Sequence, residues 1–228
     1  MRALNVRRVM AAALVAIVCL GVLVPGAEGA SRHGKAPVCV VYSCHVKIET
    51  RQVTVFTAKT RHPDLEEYES TFVRWRATGR LTAFGDGPVG PTTGSVLGPV
   101  VVAGRFVDYA TKGYDTGPWR LWSVWRLNAQ TGRREFFPRV PPPHEGDQFP
   151  ARGAGVFSVV GTPAGGVAWI LGGELSTPTI LRVVDVAAGS RSPTVLASGP
   201  SIEARSLAVV PGHLYWSESG VAHQAVLK

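Results

Sequence analysis

Apolar and polar residues alternate over much of the chain beyond residue 50, in short runs separated by Gly, Pro and Ser. In residues 52–57 and 71–76, β-branched and aromatic side chains interleave with polar ones, which is the period-two pattern of half-buried β-strands. Residues 62–69 lie between these runs, are acidic and contain a Pro. They predict a short helical turn or an exposed loop, and they are the one candidate helix in the sequence.

Further apolar runs of similar length continue to the end of the chain and are joined by turns that contain Gly. Such runs predict antiparallel meanders of about four strands each. The predicted strands cover residues 96–102, 106–110, 121–127, 135–137, 156–160, 167–171, 180–186, 194–196, 204–210, 214–217 and 222–227.

A small residue followed by Gly recurs at Thr78-Gly79, Thr131-Gly132 and Ala188-Gly189. The spacing is roughly 50 residues, which is the length at which blades of some propellers repeat. A tight hairpin needs a residue with positive φ, and Gly adopts it without steric cost. The recurring glycines therefore predict equivalent turns in successive units.

Residues 125–133 (WRLNAQTGR) and 181–191 (LRVVDVAAGSR) resemble the third-strand, turn and fourth-strand segment of β-propeller repeat proteins of the WD40 and TolB-like type. The likeness extends over most of residues 70–228. It implies an all-β fold, a propeller-like array of about three and a half to four antiparallel four-stranded blades. An array that does not close into a ring would self-associate along an exposed edge, and a two-sheet β-sandwich is the alternative fold.

The N-terminus has the layout of a secretory signal peptide. Three Arg residues precede an apolar run over residues 9–24, and small residues follow it up to Ala30. The run is shorter than the roughly 20 residues that span a bilayer, so we expect cleavage after Gly29 and no stable membrane span afterwards. The expected product is secreted, either extracellular or in the cell envelope.

The predicted organisation is a signal peptide over residues 1–29, a flexible N-terminus over residues 30–37 and a single propeller-like domain over residues 38–228. Cys39 and Cys44 both lie in the mature chain, five positions apart. Two close thiols in an oxidising compartment usually pair, so we expect a disulfide between them. A metal site is the less favoured reading, because no second Cys pair is present.

The composition is that of one globular domain: 228 residues, 45% hydrophobic, with 26 Gly and 17 Pro. There are 24 Lys and Arg against 16 Asp and Glu, a formal net charge of +8. No basic block is longer than Arg133-Arg134, so scattered surface charge is favoured over nucleic-acid binding. Attraction to an anionic cell envelope needs no motif and stays open.

Catalytic and cofactor motifs are absent from the sequence: it contains no nucleophile elbow, phosphate loop, dinucleotide fingerprint or zinc-protease motif. We therefore expect no cofactor and no metal, and we favour a non-enzyme. His144, Glu145 and Asp147 follow three prolines and are read as an exposed loop rather than a metal site.

The aromatic-rich stretch 109–125 is the best candidate for ligand binding, since interleaved aromatic and charged side chains suit sugar stacking and peptide binding. Strand alternation places Trp122 and Trp125 on opposite faces. The predicted ligand-binding residues are Tyr114, Trp119 and Arg120. Trp75, Trp169 and Trp216 sit in apolar strands and are predicted core residues.

These features predict a secreted, non-catalytic binding or interaction protein with a protein or polysaccharide partner. The alternative is a secreted hydrolase or lyase acting on glycans, with scattered carboxylates and an Arg such as Arg120 or Arg126 beside the Trp-rich loop.

Overall fold

A computed structural model describes residues 44–62, 65–88, 94–114, 122–137, 155–173 and 180–227. Every helix-or-strand element in these ranges is a β-strand, and all neighbouring strands pair antiparallel. In chain order the strands are β1 (Cys44–Glu49), β2 (Val53–His62), β3 (Leu65–Trp75), β4 (Leu81–Pro88), β5 (Gly94–Ala103), β6 (Phe106–Tyr114), β7 (Trp122–Asn128), β8 (Arg134–Phe137), β9 (Gly155–Gly161), β10 (Val167–Gly173), β11 (Ile180–Val186), β12 (Thr194–Gly199), β13 (Ala208–Val210), β14 (His213–Glu218) and β15 (Val221–Val226).

The strands form four meander sheets, each built from consecutive strands. Sheet I holds β1–β4, sheet II β5–β8, sheet III β9–β12 and sheet IV β13–β15. The predicted all-β, propeller-like array of about three and a half to four blades is confirmed, with three four-stranded sheets and one of three strands. Four sheets in series also differ from the two facing sheets of the alternative sandwich.

Three hydrophobic cores join the sheets in chain order. The first lies between sheets I and II and includes Val73 and Leu127. The second, between sheets II and III, includes Val124 and Trp169, and the third, between sheets III and IV, includes Ile170. No core of the described ranges joins sheet IV to sheet I, so these sheets form an open series.

The middle sheets bury both of their faces, as β6 shows. Val107 and Tyr109 point into the core shared with sheet I, whereas Ala110 points into the core shared with sheet III. Because successive side chains of a strand point to opposite faces, a strand packed between two sheets needs apolar residues at consecutive positions. An alternation of apolar and polar residues is therefore expected only in strands whose sheet is covered on one face.

The predicted glycine turns are confirmed. Gly79, Gly132 and Gly189 have φ values of 72°, 76° and 77° and end equivalent hairpins in sheets I, II and III. The backbone N–H of Gly79 donates to the carbonyl of Trp75, and the N–H of Gly132 donates in the same way to Asn128. The repeat seen in the sequence is thus a repeat of one turn geometry.

The predicted helical turn or loop over residues 62–69 is wrong. β2 continues to His62 and β3 begins at Leu65, so the segment belongs to a long hairpin. Lys59 lies directly opposite Glu69 in its ladder, and opposed unlike charges stabilise such a pair. Acidic composition alone cannot reveal this partner, because the pairing is set by the register of the two strands.

Smaller corrections concern the ends of the series. The predicted strand at 204–210 begins only at Ala208, since Ser206 and Glu203 form a hydrogen-bonded turn before it. Strands β1 and β4 were not predicted. The core assignment of Trp75, Trp169 and Trp216 is confirmed, as each is less than a tenth exposed.

Candidate binding surface

The array has two edges of different character. Tight turns occupy one of them, which we call the turn edge: residues 50–52, 76–80, 104–105, 129–133, 162–166 and 187–193. Contacts between turns of neighbouring sheets show that they share this edge. Nη1 of Arg80 donates to the carbonyl of Thr131 at 3.3 Å, and Gly104 faces Pro163.

The opposite edge is called the loop edge. It carries the connections from the second to the third strand of a sheet and from the last strand of one sheet to the first strand of the next. Because paired strands run antiparallel, β6 ends and β7 begins at this edge, and so do β4 and β5, β8 and β9, and β10 and β11. The longest connection between the described strands, residues 138–154, starts and finishes here. Residues 89–93, 115–121 and 174–179 also connect strands at this edge, and all four segments lie outside the described residues, whereas the connection 200–207 after β12 is described.

Of the predicted ligand-binding residues, Tyr114 is the one that the structure describes, and it lies at the loop edge. Tyr114 is the last residue of β6 and pairs with Gly94 of β5. Trp119 and Arg120 follow in the connection to β7 and lie outside the described residues, as do His144, Glu145 and Asp147 of the predicted exposed loop. These assignments remain predictions, but the strands that flank the aromatic segment are firmly paired.

A cation and an indole lie at the base of this segment. Lys112 and Trp122 are opposite each other in the β6–β7 ladder, and the Lys112 ammonium is 5.9 Å from the centre of the Trp122 ring. Both side chains are partly exposed. Lys112 does not stand out in the sequence, although the register of the β6–β7 hairpin places it opposite Trp122.

The ring of Trp122 occupies space that a glycine leaves free. A Cβ on Gly98 would collide with the six-membered ring of Trp122, so the ring needs this glycine in β5. The indole Nε1 of Trp122 is buried, and among the described residues it has no hydrogen-bond partner. A buried donor without a partner costs free energy.

Trp125 faces the other way, as predicted. Its indole Nε1 donates to Oγ1 of Thr111 at 3.1 Å, and its ring packs 5.0 Å from that of Phe136. Trp125 contributes to the core between sheets I and II, whereas Trp122 packs on the side of sheet III. The two indoles therefore belong to different surfaces.

Arg126 is not available to a ligand. Its Nε donates to Oδ1 of Asp108 at 2.7 Å and its Nη2 to Oδ2 at 3.1 Å, with both side chains almost fully buried. The guanidinium also donates to the carbonyls of Gly165 and Gly166 and lies over the ring of Phe106. The suggestion that Arg126 could serve a glycan-degrading site is wrong, because it fastens sheet II to the β9–β10 turn.

Three shifted pKa values in the described residues reflect burial. Loss of solvation raises the pKa of Asp108 to about 6, although the hydrogen bond and charge of Arg126 lower it. Burial raises the pKa of Tyr109 to about 12, and it also raises the pKa of Asp185. Each group lies in a sheet interior or beside one, so the shifts describe packing.

The carboxylates of sheet IV hold a turn together. Oε1 of Glu203 accepts hydrogen bonds from Oγ of Ser217 and from the backbone N–H of Gly220, both at 3.0 Å. Oε1 of Glu218 accepts one from Nε1 of Trp216 at 2.7 Å. Among the described residues no three His, Cys, Asp or Glu side chains group as metal ligands.

Cys44 is the first residue of β1, and its predicted partner Cys39 lies outside the described residues, so their disulfide stays a prediction. In the parts of the chain that are described, no helix has the length and apolar character needed to cross a bilayer. No protein-family model matches the chain, and no curated protein sequence matches it.

Proposed function

We propose that the chain is a secreted, non-catalytic binding protein of the cell surface, which uses the loop edge to contact an envelope polysaccharide or a surface protein. The observation that supports this most is that the connections of the aromatic segment and of the polar loop, residues 115–121 and 138–154, both start and finish at one edge of the paired strands. Binding loops are commonly carried in this way, since the scaffold limits the entropy lost on binding.

The Lys112–Trp122 pair and the aromatic segment 114–120 suggest the chemistry of the ligand. An indole offers a flat apolar face to a sugar ring, and nearby Lys and Arg can pair with its carboxylate or phosphate groups. Lys and Arg outnumber Asp and Glu in the chain even without residues 1–29, and this favours an anionic ligand over a neutral one. An acidic envelope polysaccharide therefore fits best.

Binding of the secreted protein to an acidic envelope polysaccharide, measured by titration calorimetry, tests the proposal. We expect Trp119→Ala, Arg120→Ala and Lys112→Ala each to weaken binding by about tenfold, which corresponds to losing one stacking or charge-assisted contact. Arg133→Ala is the matched control: it removes an exposed Arg from the turn edge and should leave the affinity unchanged.

Three results would count against the proposal. Equal weakening by Arg120→Ala and Arg133→Ala would mean that only overall charge attracts the polysaccharide. Release of new reducing or unsaturated sugar ends would favour the glycan-acting hydrolase or lyase. Retention of the protein inside the cell with residues 1–29 intact would remove the cell-surface location.

A further inference from the structure

Among the described residues, sheet IV has three strands where each of the other sheets has four. In sheets I, II and III a fourth strand lies outside the third, whereas β15 is the outermost described strand of sheet IV. Within the described residues nothing pairs with the outer side of β15. A strand edge of this kind offers unpaired N–H and C=O groups to another chain.

The other outer strands carry features that discourage such pairing. β4 contains a bulge opposite Thr71 and Phe72 and ends at Pro88. β8 has only four residues and begins with Arg134 and Glu135, and the pairing of β12 with β11 is interrupted by a bulge. Charges, prolines, bulges and short length are the usual protection of edge strands.

β15 has none of these features. Its six residues, V-A-H-Q-A-V, pair without a bulge with β14 and include neither Pro nor a Lys, Arg, Asp or Glu. Val221 and Val226 at its ends are 61% and 56% exposed. The strand is therefore regular and free of Lys, Arg, Asp and Glu, and among the described residues no strand pairs with its outer side.

The outer face of sheet IV is also unlike a solvent-facing surface. Leu214 and Trp216 point towards sheet III, so the alternate positions of β13, β14 and β15 form the outer face. That face carries no Lys, Arg, Asp or Glu. It consists of Ala208, Val210, His213, Tyr215, Ser217, Ala222, Gln224 and Val226. Val210 is 54% exposed.

We propose that two copies of this chain join through their β15 strands, antiparallel about a twofold axis, to form one continuous six-stranded sheet. A strand that pairs with a copy of itself must keep outer-face residues opposite outer-face residues. Centring the axis on Gln224 meets this condition. It places Ala222 of each protomer opposite Val226 of the other, and the two Gln224 side chains opposite each other.

The second copy is favoured over an unrelated strand because this register is self-complementary. Small Ala faces larger Val in both pairs flanking the axis, and each Gln amide has both a donor and an acceptor for the other. Two copies of a basic chain repel each other, but the joining strands contain no Lys, Arg, Asp or Glu that would add to the repulsion. The inference is independent of the loop edge and of any ligand there.

The mass of the secreted protein in solution, measured by light scattering after size exclusion at micromolar concentrations, tests the proposal. We expect a dimer. Gln224→Lys should convert it to a monomer, since the two ammonium groups would face each other across the axis. Ser198→Lys is the matched control, an exposed position of the β12 edge, and should remain dimeric.

Mixing two oppositely charged variants is a more specific test of the register. Gln224→Lys and Gln224→Glu should each be monomeric alone and form a mixed dimer together, because opposite charges then meet at the axis. An unchanged melting temperature in each variant shows that the fold is kept. A wild-type monomer, even one that captures another protein by β15, would overturn the proposal, and so would a Gln224→Lys variant that stays dimeric.

Discussion

Gly161 illustrates how a single missing side chain can set the distance between two sheets. A Cβ at this position would overlap Oδ2 of Asp108, which is fully buried in the neighbouring sheet. The φ of Gly161 is not in the left-handed region, so the requirement for glycine comes from space and not from backbone conformation. Sheet II can approach β9 with its carboxylate only because this position carries hydrogen alone.

Gly161→Ala should therefore lower the free energy of unfolding by about 1–3 kcal/mol, the usual cost of overpacking an interior. Gly199→Ala is the control, because its Cβ would meet only Oγ of Ser201 at an ordinary 3.7 Å. Urea unfolding followed by tryptophan fluorescence measures both. Equal midpoints for the two variants would show that the Asp108 side chain moves aside without cost.

The sequence did reveal many single-residue features, because they depend on local geometry. Positive φ at Gly79, Gly132 and Gly189 follows from the shape of a tight hairpin, which a short segment determines by itself. The hydrogen-bond partners of Arg126 cannot be deduced from the residues next to it in the sequence. Strand alternation gives the face on which it lies, but its carbonyl partners are about 40 residues away in another sheet.

The ion pair between Asp108 and Arg126 attaches the β6–β7 hairpin of sheet II to sheet III. Asp108 and Arg126 belong to β6 and β7, and the guanidinium reaches the β9–β10 turn at the carbonyls of Gly165 and Gly166. Other side chains make comparable links between sheets at the turn edge, as Arg134 of β8 donates to the carbonyl of Ala83 in β4. Arginine thus joins neighbouring sheets at their backbone carbonyls.

Asp108→Ala should cost about 3–5 kcal/mol of unfolding free energy, because it leaves the Arg126 guanidinium buried without its counter-charge. The double variant Asp108→Leu with Arg126→Met should be more stable than Asp108→Ala, since no charge is then buried alone. Chemical denaturation of the two variants and the wild type measures the difference. A double variant as unstable as Asp108→Ala would mean that the carbonyl contacts dominate.

The long β2–β3 hairpin shows the limit of pattern analysis for whole elements. The half of this hairpin nearest its tip is polar and shows no alternation of apolar residues, so its composition favoured a turn. In the structure both strands continue there, and Thr60 pairs with Tyr68. Cross-strand pairing supplies the hydrogen bonds and opposed charges that stabilise this segment. Neither can be read from one strand without its partner.

Stability of the whole series should depend on pH through Asp108. Its pKa in the folded chain is raised from 3.8 to about 6, chiefly by burial. The folded state therefore binds this proton more tightly than the unfolded chain, so the stabilisation linked to it is complete below about pH 4 and is lost as the pH rises through about 6.

Comparison with Asp108→Asn isolates this group from the other carboxyls. The unfolding free energy of the wild type, measured relative to Asp108→Asn, should fall between about pH 4 and 6 and stay level above that range. Thermal or urea unfolding at a series of pH values provides the curve. A relative stability that is level between pH 4 and 6 and falls as the pH drops below about 4 would mean that Arg126 outweighs burial and holds the pKa below 3.8.

The sequence by itself determined the fold class, most of the strands and the repeated turns, because alternation and glycine geometry act over a few residues. The candidate site was only partly accessible: the aromatic segment stood out, but Lys112 became relevant through its position opposite Trp122. The tertiary structure decided which sheets cover one another, why Asp108 and Arg126 are buried, and that β15 has no strand on its outer side among the described residues. These outcomes depend on contacts between residues far apart in the chain, where the energy lies in packing and desolvation and leaves no local pattern.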